Sequence, residues 1–82
     1  MIFKRYKKGD TVYTRGSHAD EIYFLASGRV SFVYLDEEYA FNTMTSGSYF
    51  GEIEVINRIL REFTVIAETK CQILIMKLDL VE

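Results

Sequence analysis

Gly47-Ser48-Tyr49-Phe50-Gly51-Glu52-Ile53, followed by Arg61 ten residues after Gly51 and then by Thr64-Val65, decides the reading of this chain. The stretch sets a glycine turn, a carboxylate and a guanidinium around one short segment. Gly51 lacks a Cβ, tolerates unusual φ/ψ and lets backbone approach a ligand closely. Amides that open a helix after it would favour an anion. Glu52 is an acceptor for a sugar hydroxyl, and Arg61 is a permanent planar cation suited to phosphate. A ligand with one phosphate and one ribose hydroxyl fits that set. Each residue also has a plainer use: Arg61 in a salt bridge to a nearby glutamate, Glu52 as a carboxylate complementing a helix start.

Around this stretch the pattern is mostly of period two, the signature of half-buried strands. Arg29 to Leu35 puts Val30, Phe32 and Tyr34 on one face and Ser31, Val33 and Leu35 on the other. Tyr39 to Met44 alternates similarly, and Cys71 to Leu78 is strongly apolar. Turn signals fall at Lys8-Gly9-Asp10, Arg15-Gly16-Ser17, Ser27-Gly28, Asp36-Glu37-Glu38 and Ser46-Gly47-Ser48. Only Glu52 to Phe63 breaks the alternation, with Val55, Ile56, Ile59, Leu60 and Phe63 at helical spacing. The expected fold is mainly β: an antiparallel β-roll or jelly roll of seven or eight short strands, with one short helix within residues 52–60.

The residues resemble the phosphate-binding cassette of cyclic-nucleotide-binding domains. Phe50-Gly51-Glu52-Ile53-Glu54-Val55-Ile56, a spacer from Asn57 to Leu60, and Arg61-Glu62-Phe63-Thr64-Val65 keep the family's spacing without a gap. The match extends upstream through Tyr6, Gly9-Asp10, Val12, Gly16, Ala19-Asp20, Tyr23-Phe24 and Ser27-Gly28, and downstream through Thr69 and Cys71. Gly-Ser-Tyr-Phe-Gly-Glu-Ile looks closest to the cation-channel versions. The resemblance implies a regulatory sensor for cyclic AMP or cyclic GMP, on the cytoplasmic side of a membrane protein or in the cytoplasm. Its ligand set would be Gly51, Glu52, Ile53, Glu54, Arg61 and Thr64. Gly51 and the amide of Glu54 would approach the ligand, Glu52 would accept from the ribose 2′-hydroxyl, Arg61 would pair with the cyclic phosphate, and Thr64 would face the base.

Several positions depart from the family. Glu54 and Phe63 replace small residues, Glu62 replaces a small or hydroxyl residue, and Leu60 stands where many members have proline. A carboxylate ~6 Å from a phosphate at an effective dielectric of ~20 costs roughly 2–3 kcal/mol. Two of them would cancel Arg61 unless they point to solvent; Arg58, four residues after Glu54 on a helix, could offset one. The alternative is therefore a degenerate domain of the same fold that binds no nucleotide and acts through protein contacts or an internal side chain in the pocket.

Composition narrows the classes. Eighty-two residues allow one small domain, 1–82, burying roughly 60–65% of its unfolded surface. It is read as truncated: the family carries one helix before the roll and two after, and the chain ends at Lys77-Leu78-Asp79-Leu80-Val81-Glu82 where the first of those is due. The apolar surface such helices cover would be open, which invites self-association. With 12 acids against 10 bases the net charge is −2, against a nucleic-acid partner. Lys4, Arg5, Lys7 and Lys8 are read as a solvated start to the domain. No apolar run approaches the ~20 residues of a membrane helix. Cys71, the only cysteine, permits no intrachain disulfide and reads as a small buried thiol in a reducing compartment. Jelly rolls also build metal enzymes, but His18 is the one histidine and sits in a turn signal, so no catalytic residue, metal or cofactor is expected.

Overall fold

The computed structural model describes residues 1–34 and 40–78, with backbone only at 40 and 41. The chain runs β1 (Ile2–Tyr6), β2 (Thr11–Tyr13), β3 (Glu21–Ser27), β4 (Arg29–Val33), β5 (Ala40–Thr45), β6 (Tyr49–Phe50), α1 (Glu52–Asn57), β7 (Thr64–Ala67) and β8 (Cys71–Lys77). These strands form two four-stranded antiparallel sheets, ordered β1-β8-β3-β6 and β2-β7-β4-β5. The expected antiparallel roll with one short helix is the fold observed. The turn expected at Asp36-Glu37-Glu38 and the last four residues of the chain lie outside the described residues.

Period-two patterning becomes the core directly. Along β8, Cys71, Ile73 and Ile75 are buried while Gln72 faces out and Leu74 and Met76 are half-buried, as alternation of Cβ directions requires. Lys77, on the core face by parity, is exposed where the strand ends. Leu25 opposes Ile73 and Tyr23 opposes Ile75 across β3 and β8, so the buried faces of both strands coincide. Val30 and Val65 approach from the second sheet, and Phe50 closes the core, all fully buried. Burial of a side chain such as Phe50 contributes about 1.5–3 kcal/mol. On β4 the expected division is blurred: Val30, Ser31 and Val33 are all buried, whereas Tyr34 is exposed just beyond the strand. Ser31 is accommodated because its hydroxyl donates to the Glu68 carboxylate, which also pairs with Arg29 at 3.4 Å.

The turn between β3 and β4 explains both Gly28 and Cys71. Gly28 has φ +98, and a Cβ there would meet Cys71 Sγ at 2.7 Å and the Lys70 carbonyl oxygen. The Cys71 thiol donates to Arg29 O and Thr69 O, each at 3.3 Å. It is a buried structural thiol, as read from its strand.

The helix is shorter than the apolar spacing implies. It stops at Asn57 because Arg58 takes the left-handed conformation, φ 58 and ψ 44, and the Ile59 amide turns back to Glu54 O at 3.0 Å. Arg58 is thus a cap and not a residue of the helix flanking Glu54. Of the helical residues only Glu54 and Val55 are buried. Ile53, Ile56, Ile59 and Leu60 are each at least 41% exposed and form an open apolar row beside the cassette.

Candidate functional site

The site is assembled by three segments that the roll brings to one end of the core. β6 delivers Phe50 into the core and Gly51 to the start of α1; Gly51 has φ +84 and no side-chain cap supports the helix. A Cβ on Gly51 would meet Tyr23 Cδ1 at 2.9 Å and Arg61 Nη1 at 3.1 Å. The close approach that glycine permits here is made by the chain's own tyrosine and arginine. The turn at Arg15-Gly16-Ser17 clamps the backbone of Arg61 from both sides: Gly16 N donates to Arg61 O at 2.8 Å, and Arg61 N to Ser17 O at 2.9 Å.

Held in this way, Arg61 sends its side chain inward, leaving it 1% exposed. Nη1 donates to Gly51 O at 2.6 Å and to Glu54 Oε1 at 3.1 Å, and Nη2 donates to Glu21 O at 2.7 Å. The guanidinium lies 4.1 Å from the Tyr13 ring centroid and 5.6 Å from that of Tyr23, a stacking arrangement suited to its flat cation. Nε is buried without a hydrogen-bond partner. The other oxygen of the Glu54 carboxylate, Oε2, accepts from the Glu62 amide at 3.5 Å. Glu54 is itself buried.

Tyrosines frame the pair. Tyr13, Tyr23 and Phe50 form a ring cluster with centroids 5.2–6.3 Å apart. Burial pushes the Tyr13 hydroxyl up from its ordinary value, the Glu54 charge adding to the rise and the Arg61 charge opposing it. Tyr23 is raised by burial and by Glu21, whose Oε1 accepts from its hydroxyl at 3.0 Å. The Tyr13 hydroxyl is buried and has no hydrogen-bond partner.

Gly51, Glu54 and Arg61 therefore converge, and the remaining candidates lie around them. Glu52 is half-buried at the first position of α1, close enough to contribute to the Tyr13 rise. Ile53 is 60% exposed. Thr64 is buried, and its hydroxyl accepts from the Arg15 amide at 3.0 Å. Glu62 is exposed, so of the two extra acids only Glu54 acts on the guanidinium. Phe63 is half-buried, 6.5 Å from Phe32 and 5.8 Å from Tyr34 by ring centroid. It helps line an open cavity of about 890 Å³ with Arg15, Tyr34, Leu60 and Glu62, within the size range of small-molecule sites. The tyrosine stack and the Glu21 carbonyl were not foreseen; Tyr13 in a strand alternating into the core was their one signal. Among the described residues no group of His, Cys, Asp and Glu is placed to hold a metal ion, and no helix is long and apolar enough to cross a membrane.

The chain belongs to the cyclic nucleotide-binding domain family, whose profile matches residues 3–82. It is 34% identical over 65 residues to the cAMP-dependent protein kinase regulatory subunit of Yarrowia lipolytica, covering 79% of this chain and 17% of that protein. It is equally 34% identical over 79 residues to the human potassium/sodium hyperpolarization-activated cyclic nucleotide-gated channel 3, covering 96% of this chain and 10% of the channel. The regulatory subunit of a cAMP-independent protein kinase A from Trypanosoma brucei has the same fold, with a TM-score of 0.86, 22% identity and coverage of 93% of this chain and 28% of that one. The chain thus spans less than a fifth of the curated relatives named. The domain it represents is a regulatory module found in both kinases and channels.

Proposed function

We propose that this chain is the cyclic-nucleotide-responsive module of a larger regulatory protein, with cyclic AMP or cyclic GMP as ligand and no chemical step of its own. The observation that carries this is the convergence of Gly51, Glu54 and Arg61 at one buried point in cassette register, with Glu52 at its edge. The attached output is an ion-channel gate, which puts the module on the cytoplasmic side of the membrane. Supporting that choice is the likeness of Gly47-Ser48-Tyr49-Phe50-Gly51-Glu52-Ile53 to the cation-channel versions of the domain, with the human channel aligning over 96% of this chain. Binding would drive the output through the difference in affinity between two conformations.

One observation favours a second reading. The Glu54 carboxylate already holds Arg61, as a degenerate domain working without nucleotide would require. Calorimetric titration of the chain with cyclic AMP, cyclic GMP and 2′-deoxy cyclic AMP separates the two. The sensor reading expects saturable binding in the high-micromolar range or weaker, lost with the deoxy analogue because Glu52 then has no hydroxyl to grip. Absence of heat and of any melting shift at about 10 mM nucleotide, where RT ln(1 + [L]/Kd) would register even millimolar affinity, would leave the degenerate reading standing.

A further inference from the structure

The donors gathered on Glu54 form a receptor for an oxyanion. The Arg61 guanidinium takes one carboxylate oxygen at 3.1 Å and the Glu62 amide the other at 3.5 Å. A buried Tyr13 hydroxyl and the buried Arg61 Nε, both without partners, belong to the same cluster. Arg61 already has two backbone carbonyls and a tyrosine ring as neighbours, so anchoring the arginine does not require the carboxylate. A buried ion pair is moreover a weak stability device, since desolvation consumes most of its Coulombic gain.

We infer that Glu54 is a built-in occupant of the phosphate position, setting the affinity of this module by competing with the ligand for Arg61. The inference rests on the nucleotide reading above in naming phosphate as the competing anion. A carboxylate and a phosphate oxygen ask the same of a guanidinium: charge-assisted N–H donors in a plane. Glu54 is tethered seven residues from Arg61 and buried with it, so it competes at an effective concentration of millimolar or more. An external phosphate must displace it and leave a carboxylate in its neighbourhood. Glu62, though next in sequence to Arg61, is exposed and contributes its amide, so its charge is not the competitor. Affinity is thereby assigned to one position, 54.

The test is titration of cyclic AMP into the wild-type chain, Glu54→Ala and Glu54→Gln, by calorimetry and by melting shift. Inorganic phosphate serves as a second probe in the melting assay. Glu54→Gln keeps an acceptor for Arg61 and guards against loss of the fold in the alanine variant; circular dichroism checks both. The expected result is tighter cyclic AMP binding by about 10- to 100-fold in the variants, the size of one charge-assisted hydrogen bond expressed as affinity. Phosphate is expected to raise the melting temperature of the variants and not of wild type. Binding by the variants with none by wild type would support the inference and remove the sensor reading for the native chain. Weak binding by wild type, unimproved in a folded variant, would overturn the inference and keep the sensor. Low-micromolar binding by wild type, or none by any folded variant, would also overturn it.

Discussion

Replacing Arg61 by methionine should destabilise the chain by about 3–5 kcal/mol before any ligand is considered. The side chain ties Gly51 O, Glu21 O and Glu54 together from a single buried group and stacks on Tyr13. Hydrogen bonds to a charged group contribute about 1.5–3 kcal/mol each and a desolvated cation–π contact about 2. The contributions share one side chain and do not add, and methionine recovers some packing. The governing cost is the Glu54 carboxylate left buried and unpaired, for which about 3–5 kcal/mol is typical. At ~0.05–0.15 kcal/mol per residue such a chain holds only about 4–12 kcal/mol in total, so urea unfolding followed by circular dichroism should show at least about a quarter of the stability gone. The melting temperature should fall by roughly 12 °C or more. Adding Glu54→Ala to Arg61→Met should restore at least about 1.5 kcal/mol, because it removes the stranded charge; the double-mutant cycle measures this coupling directly. A loss below about 1 kcal/mol in the single variant, or no recovery in the double, would show that Arg61 is not the central tie of this fold.

Gly28→Ala should cost about 2 kcal/mol or more, read as a lower urea midpoint, since φ +98 and the Cys71 sulfur 2.7 Å from the new Cβ leave no unstrained position. Tyr6, Tyr13 and Tyr23 have hydroxyls raised above 10.0, first of all by burial. The native state therefore holds its protons longer than the unfolded chain, and stability is full below pH ~10 and falls as pH rises above it. Alkaline titration should show these tyrosines ionising together with loss of structure; ionisation in a still-folded chain near pH 10 would contradict their burial. Glu62→Thr should change both stability and cyclic AMP affinity by less than about 0.5 kcal/mol, because its side chain is exposed; a larger gain in affinity would restore it as a second source of repulsion.

The strands were legible because burial and period-two patterning are the same fact seen twice: in β8, Cys71, Ile73 and Ile75 fall on the core face that their alternation indicates. The helix was legible too, Glu52–Asn57 falling within the expected 52–60, although the apolar spacing runs on past its end. Val55, Ile56, Ile59 and Leu60 keep helical spacing, yet the left-handed turn at Arg58 ends the helix before Ile59 and Leu60, and Ile56 lies open. Spacing along the chain does not reveal a backbone reversal at a residue other than glycine. The spacing of Gly51, Glu54 and Arg61 identified the residues that meet, but not the direction in which the guanidinium points. That direction depends on contacts distant in sequence: the Ser17 and Gly16 backbone, the Glu21 carbonyl and the Tyr13 ring. Only assembly of the sheets brings these together. Arg58 was the nearer candidate partner for Glu54 by helical register, but the Glu54 carboxylate is held by Arg61, seven residues on.

Without nucleotide, the Arg61 guanidinium is buried against Glu54 and not held open for a ligand. Nuclear magnetic resonance of the arginine side-chain nitrogens tests it most directly, with Arg61 assigned by substitution. Separate, slowly exchanging Nη proton signals are predicted for Arg61 in the nucleotide-free chain, shifting in Glu54→Gln as the charged acceptor is lost. A single averaged, rapidly exchanging signal, unaffected by Glu54→Gln, would mean that the guanidinium is solvated and that Glu54 does not occupy it.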